Sequence, residues 1–425
     1  MPRGNASNAS DAAASVYLDH AATTPMRESA RDAWLSTVDQ LQRFPGNPGA
    51  LHSGGRTAKR LLEDARERLA TALGAERAEV VFTSGATESA ALGVVGAATA
   101  FAEDADGSST GSSSVGGSSA EDFSDDSPST GGHRSRRTVA VSAVEHPAVA
   151  NQESVGIRNG LQWQVLPVSS QGVTVLDFEG RESQVALASM CWVCSETGVI
   201  QPVPELVTLG ARNGFLVHSD ATQAVGNLDV DFGASGLDLM TIGGHKFGAP
   251  VGTGALLVKR GVRVTTDRPG GDQERKIRSG TPDVAGAVAL SVAAEEAAAQ
   301  VASRTAAHRE LRERLIATLP SDVRATQVGA AVEGIVHLSL PTRHPEVVLL
   351  ELDRAGVMAS AGSACHAGVT RPSAVLLAMG RSQDEALGVL RVSFGATTTD
   401  ADIERLVAAL PRAVDSAQKM DALDR

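Results

Sequence analysis

The sequence predicts an α/β protein with a mostly parallel sheet, followed by a smaller α+β domain at its C-terminal end. Six short runs carry the first part of that expectation: "AEVVFTSG", "TVAVSAV", "QVALASMCWV", "FLVHSD", "DLMTIGG" and "GALLVK". All are β-prone, and several are too continuously apolar to be half exposed, which is the pattern of strands covered on both faces. Helical patterns stand between most of them, as crossover connections in a parallel sheet require. Further on, an Ala-rich helical segment begins near Asp283, and "GIVHLSL", a helix from about Glu346 to Ala355 and "LGVLRVSFG" follow it. That second grouping suits a separate α+β unit.

Taken in order, residues 1–14 read as a disordered tail. "MPRGNASNASDAAAS" has neither the apolar segment of a signal peptide nor the Arg-rich, acid-poor character of a transit peptide. Residues 15–265 form the expected large domain. Within it, residues 103–137 collapse to Ser, Gly and acid, and "GSSTGSSSVGGSS" has Val115 as its one apolar residue. Such a segment cannot repay the entropy of ordering, so a disordered surface insert is expected. It is flanked by the helical pattern "GATESAALGVVGAATAFA" and by the strand that opens "RTVAVSAVEHPAV". The turn signals "RPGG" and "RSGTPD" place a boundary between residues 265 and 282, so residues 266–425 form the expected small domain.

Composition narrows the function classes. The 425 residues carry 38 basic and 50 acidic side chains, a formal charge of -12. That excess of negative charge disfavours nucleic acid or an anionic membrane as the main partner. No apolar run approaches the length of a bilayer span. Three cysteines, Cys191, Cys194 and Cys365, are too few for a disulfide framework and suit a reducing cytoplasm. "CWVC" (Cys191 to Cys194) could be a redox or metal pair, but residues three apart on a strand face opposite ways and no second pair completes a zinc site. Packing is the expected role.

In open α/β sheets, ligands gather at the carboxyl ends of the strands. Here those ends read "TSGATE", "VEHPA", "CSETG", "HSDATQ" and "GGHK". "SGAT" opening a helix offers backbone N–H groups and Thr87 to an anion. Asp220 ends an apolar run, and Lys246 is a single cation in the Gly-rich "TIGGHKFGAPVGTG". Each alone has a plainer explanation: an N-cap, another cap and a surface lysine. Together they are what pyridoxal 5'-phosphate requires. The lysine forms the Schiff base, the aspartate keeps the pyridine nitrogen protonated and the anion cradle holds the phosphate.

The motifs then resemble those of a cysteine desulfurase of the class V aminotransferase family. "YLDHAATTP", "NPGALHSGG", "FTSGATES", "GGHKFGAPVGTGALLV", "RSGTPD", "SAGSACHAG" and "LRVSFG" occur in family order across nearly all of residues 15 to 415. The resemblance implies the fold type I architecture of these pyridoxal phosphate enzymes, with a seven-stranded type of sheet, and a homodimer. It also implies conversion of L-cysteine to L-alanine, the sulfur being captured as a protein persulfide and passed to an acceptor protein.

Carried over by position, the resemblance implies that Lys246 holds the cofactor, Asp220 pairs with the pyridine nitrogen and His146 stacks on the ring. Gln223 and Ser195 serve the ring oxygen, Ala86, Thr87 and His245 the phosphate, and Thr281 the phosphate of the neighbouring subunit. Arg391 and Asn47 hold the substrate carboxylate, and Cys365 is the sulfur acceptor, with Pro372 spaced as in the branch with a longer cysteine loop. Taken alone, His146 before Pro147 fits a helix N-terminal residue and Arg391 a salt-bridged strand residue; beside Lys246 and Asp220 the functional reading is favoured for both. Departures are Cys194–Ser195 where the family has an Asn pair, and Gly243 where it often has Ser. Selenocysteine lyase, another class V reaction or a non-catalytic scaffold are the alternative readings. The acceptor is an iron–sulfur scaffold, a tRNA-thiolation protein or a relay protein.

Overall fold

The computed structural model describes residues 15–105, 136–362 and 371–424. The expected tail at 1–14, residues 106–135 of the expected insert and the segment holding Cys365 lie outside the described residues. At the insert's edges the structure shifts the expected boundaries. Glu103 and Asp104 continue the helix Ala97–Ala105, and Arg136 donates to the carbonyls of Asn213 (2.6 Å) and Gly214 (2.9 Å).

The strands among the described residues are β1 (Val16–Tyr17), β2 (Val80–Thr83), β3 (Thr138–Ser142), β4 (Gln162–Leu166), β5 (Val185–Cys191) and β6 (Leu216–Asp220). They continue with β7 (Leu239–Gly243), β8 (Gly254–Val258), β9 (Arg324–Ala325), β10 (Ile335–Ser339), β11 (Val357–Met358) and β12 (Val389–Ser393). Seven form one sheet in the order β2-β8-β7-β6-β5-β3-β4. All neighbours are parallel except that β8 runs against both β2 and β7. The six expected apolar runs are strands of this sheet. The seventh, β4, is an edge strand whose Val165 is exposed, so it lacks the continuous apolar signature of its covered neighbours.

Side chains alternate across the pleat. Val80, Phe82, Ala140, Met240, Ile242, Ala255 and Leu257 join one apolar cluster, while Val81, Val139, Val141, Leu239, Leu256 and Val258 join the cluster on the other face. Chain order places β4 and β5 on opposite sides of β3. That reversal opens a crevice at the carboxyl ends of these strands, the place where such sheets bind ligands.

A smaller antiparallel sheet, β12-β10-β9, packs with the helices Val301–Thr318, Pro345–Arg354 and Asp400–Leu423. The expected division at residue 265 does not follow the packing. Val16 and Leu18 lie in this smaller core, because β1 pairs in parallel with β11. The helix Val284–Ala299, in contrast, belongs to the large sheet's core. Its small side chains let it pack closely on the helices Glu28–Arg43 and Ser53–Ala72.

The turn after β8 is clasped to the large sheet. Glu274, Arg275 and Lys276 all have positive φ (44°, 61° and 63°), a conformation that costs an L-residue roughly 1–2 kcal/mol each. Glu274 is buried and receives both guanidinium nitrogens of Arg66 (2.8 and 2.6 Å) and the backbone N–H of Phe82 (2.8 Å). Arg66 also donates to Val80 O and lies over the Phe82 ring. Removing one partner leaves the other charge buried and uncompensated. Glu274→Ala should therefore lose about 3–5 kcal/mol in urea denaturation, with Glu274→Gln losing less because it still accepts from Phe82.

Candidate active site

At the end of β7 the chain turns through Gly244 into His245 and Lys246. A Cβ on Gly244 would lie 2.6 Å from Thr253 Oγ1 and 2.7 Å from Leu290 Cδ1, so only glycine lets the turn fold so tightly. The turn aims Lys246 Nζ at the carbonyls of Ala21 and Ala22, 2.7 Å from each. Burial, with repulsion from Arg391, lowers the amine to a pKa of about 8. A lysine poised there loses its proton readily enough to act as a nucleophile or base.

Around it is a cavity of about 380 Å3 lined by Ala86, Thr87, His146, Ser195, Asp220, Gln223, His245 and Lys246, among others. These eight expected residues arrive from five strand ends. Asp220 closes β6 and accepts from Thr222 N at 2.9 Å. His146 Nδ1 accepts from Ala148 N at 3.1 Å, which leaves Nε2 as the protonated ring nitrogen. Burial also depresses its pKa. The histidine is thus both the cap of the helix Pro147–Ala150 and part of the cavity wall, so the two readings of it hold together. Gln223 donates to Ala21 O (2.7 Å). His245, held to a pKa of about 4 by burial and by Lys246, reaches Thr23 Oγ1 at 3.3 Å.

Arg391 stands just behind this wall. It is buried on β12 and donates to Asp19 Oδ1 (2.7 Å) and to the Ser195 carbonyl (2.9 Å), while its Nε has no partner. Two further expected residues are, like Arg391, not among those lining the cavity. Asn47 is exposed and accepts from Gly49 N. Thr281 lies on a separate hollow with Gly46 and Pro48. Cys365 lies outside the described residues, but Gly362 packs against Arg391 and Glu196. Cys191 and Cys194 are free, buried thiols in one apolar cluster, and burial raises both pKa values. That suppresses both thiolates; Cys191 also borders the cavity, its Sγ donating to the Val144 carbonyl at 3.5 Å.

The profile of the family described as "Aminotransferase class-V" matches residues 16–106 and 128–406. The chain belongs to the class V aminotransferase family. Relatives in that family include an IscS-like cysteine desulfurase of Mycobacterium tuberculosis, 38% identical over 414 residues that cover 95% of this chain and 97% of the relative. Cysteine desulfurase IscS of Methanosarcina thermophila is 32% identical, covering 96% and 94%. Among solved structures, a NifS-like protein aligns with a TM-score of 0.78 at 26% identity, over 94% of this chain and 99% of its own. SspA in complex with cysteine aligns with a TM-score of 0.70 at 26% identity, over 89% and 98%. The fold is that of the class V, type I pyridoxal phosphate enzymes.

The donor set of this class V chain fits the family's cofactor. A desolvated amine, a buried carboxylate and a neutral imidazole face one cavity. At its edge the helix beginning at Ala86 presents N–H groups that have no intrahelical acceptor. Gly243 lies where a Cβ would sit 3.1 Å from Ala86 Cβ and 3.2 Å from Thr222 Cγ2, so the missing serine hydroxyl is matched by close packing.

Two site residues escaped the sequence reading. Asp19 orients Arg391, and its only signal was its place in "YLDHAATTP". Glu145, beside His146, is buried with Oε1 accepting from Ser189 Oγ (3.0 Å) and Oε2 unpartnered. Ser189 continues to His218 (2.9 Å), and His218 to Thr241 (2.9 Å). Burial, reinforced by Asp220, pushes the Glu145 carboxyl from 4.5 up to about 8. The folded protein therefore keeps a proton that the unfolded chain releases, and the stability this provides declines as pH rises through that window. Glu145→Gln cannot ionise. Its stability relative to wild type should grow by on the order of a few kcal/mol between pH 5 and pH 8 in urea melts.

Proposed function

We propose that this chain is a pyridoxal phosphate-dependent cysteine desulfurase that converts L-cysteine to L-alanine and takes the sulfur as a persulfide on Cys365. The observation that carries the reading is the placement of Lys246, with its pKa near 8, in one cavity with Asp220 and His146, while Arg391 stands directly behind Ser195. The names of the relatives and of the cysteine complex support the substrate.

Ala86, Thr87 and His245 would hold the cofactor phosphate, with Thr281 supplied by the second subunit of a homodimer. Asp220 would face the pyridine nitrogen, with Gln223 and Ser195 at the ring oxygen and His146 over the ring. When bound, the cofactor supplies an electron sink for the pair left at the substrate α-carbon. The protein's own groups do the rest. Arg391 fixes the substrate carboxylate through its planar fork, oriented by Asp19. Asn47, exposed and outside the cavity's lining, would join it. Lys246 Nζ removes the α-proton, its basicity set by burial. His146, neutral at physiological pH, can donate from Nε2 without adding charge to the site.

The thiolate of Cys365 attacks the substrate sulfur. A new S–S bond forms as the C–S bond breaks, and the carbon takes a proton to become alanine. Gly362, a described residue shortly before Cys365 in the chain, packs against Arg391 and Glu196. An acceptor protein then removes the persulfide sulfur; an iron–sulfur scaffold, a tRNA-thiolation protein or a relay protein fits that role. Among the described residues no single helix is long and apolar enough to cross a membrane, and a cytoplasmic setting agrees with three cysteines and no disulfide pattern.

Cys365→Ala should still bind L-cysteine, with the visible spectrum changing on addition, while alanine formation falls roughly a hundredfold or more in kcat. Alanine at the wild-type rate would overturn the nucleophile assignment and favour another class V reaction. Cofactor uptake gives a second test. In stripped protein its rate should rise with pH and level off above about 8, as the Lys246 amine loses its proton. Lys246→Ala should take up no borohydride-fixable cofactor.

A further inference from the structure

Behind Lys246, away from the cavity just described, lies a second cavity of about 530 Å3 that shares only Lys246 and Gln223 with the first. Its walls come from the segment His20–Ser29, the helices Val284–Ala299 and Val301–Thr318, and the stretch after β12. Arg304 is the unusual member. Its guanidinium lies flush on Gly226, where a Cβ would meet Nη2 at 2.5 Å. Among the described residues it has no side-chain hydrogen bond and no ion pair. Burial and the nearby Arg27 bring its pKa down to about 10, still far enough up to remain charged at neutral pH.

Nothing in the wall answers that charge. Arg27 is already spent on Phe247 O (2.8 Å), Glu296 (2.6 Å) and Gln300 (2.7 Å). Glu296 is taken by Arg27 through one oxygen and by Ser29 through the other. Glu28 sits exposed at the rim. His20 and His308, each held near a pKa of 4 by burial, are neutral. Arg304 is half-buried, and a partly desolvated cation with no counter-charge favours the uptake of an anion. The rest of the wall sets the kind of anion. Phe247, Ile335 and Phe394 are buried apolar faces, and Thr24 and Asn227 are neutral hydrogen-bonding groups. The wall's other cations are engaged, Arg27 as above and Lys246 by Ala21 O and Ala22 O, so one guanidinium fork is left, which matches the single charge of a carboxylate and not the double charge of a phosphate.

We propose that this second cavity is a binding site for a small organic carboxylate with an apolar body, received by Arg304 and packed on Phe394 and Ile335. Because Lys246 and Gln223 form the partition, a ligand here abuts the catalytic lysine from behind. The site stands on its own observations and does not depend on which reaction the first cavity performs.

Benzoate is a suitable probe, with benzamide as its neutral isostere and inorganic phosphate as an anion without an apolar body. Titration calorimetry on the full-length protein in carboxylate-free buffer should show saturable benzoate binding. Affinity should drop at least tenfold in Arg304→Gln, fall less in Arg304→Lys and be retained in Arg391→Ala. Benzamide should bind at least tenfold more weakly than benzoate, and phosphate should show no binding that depends on Arg304. Arg304→Gln should also melt no lower than wild type, since it removes a charge that has no partner. The proposal is overturned if benzoate does not bind, if benzamide binds equally, if Arg391→Ala abolishes binding, or if phosphate binding is lost with Arg304. A clear fall in the melting temperature of Arg304→Gln would likewise overturn it, by showing that a carboxylate of the protein itself pairs with Arg304 in solution.

Discussion

Two backbone carbonyls, those of Ala21 and Ala22, hold the amine of Lys246, and much of the molecule is arranged to bring them there. The segment that carries them pairs through β1 with β11, binds Arg391 through Asp19 and receives Gln223 on Ala21 O. One extended stretch thus fixes the lysine, the arginine behind the cavity and a cavity-lining amide together. The glycines before Lys246 are the matching constraint from the sheet side. Without the close approach at Gly244 the amine would not reach those carbonyls.

Beneath the cavity floor the sheet interior is polar along one line. Glu145, Ser189, His218 and Thr241 form a connected chain across β5, β6 and β7, with Asp220 close enough to Glu145 to raise its pKa. The chain stops at Glu145, whose Oε2 has no partner, and the proton on Glu145 keeps a second negative charge from forming beside Asp220. His218, with a pKa held to about 3 by burial, contributes hydrogen bonds and no charge. The charge balance at the site is therefore set by which buried groups stay neutral as much as by those that are ionised.

The six apolar strands of the large sheet were legible because burial on both faces leaves no polar alternation to confuse the pattern. β4 was not, since its exposed Val165 and flanking Gln162 and Gln164 match neither a covered strand nor a clean amphipathic one. Lys246, Asp220 and His146 could be read from their motifs, which stand at strand ends. Asp19 and Glu145 act through contacts with residues distant in sequence, and no local pattern marks such partners. The placement of Val16 and Leu18 in the smaller core was hidden for the same reason. Asn47 and Thr281 show the opposite case: motifs named them, yet within this chain neither lines the cavity.

The parallel pairing of β1 with β11 also bears on how the chain comes to be assembled. Asp19 and Arg391 are 372 residues apart in sequence, so a ribosome must deliver almost the entire polypeptide before the first strand has anything to pair with. Contacts of such long range are slow to form and leave apolar surface exposed while they are pending. Val16, Leu18 and their counterparts around β11 and β12 are consequently among the last surfaces to be covered. The strand that leads directly into the two carbonyls holding the amine is therefore among the last parts of the molecule to find its partner.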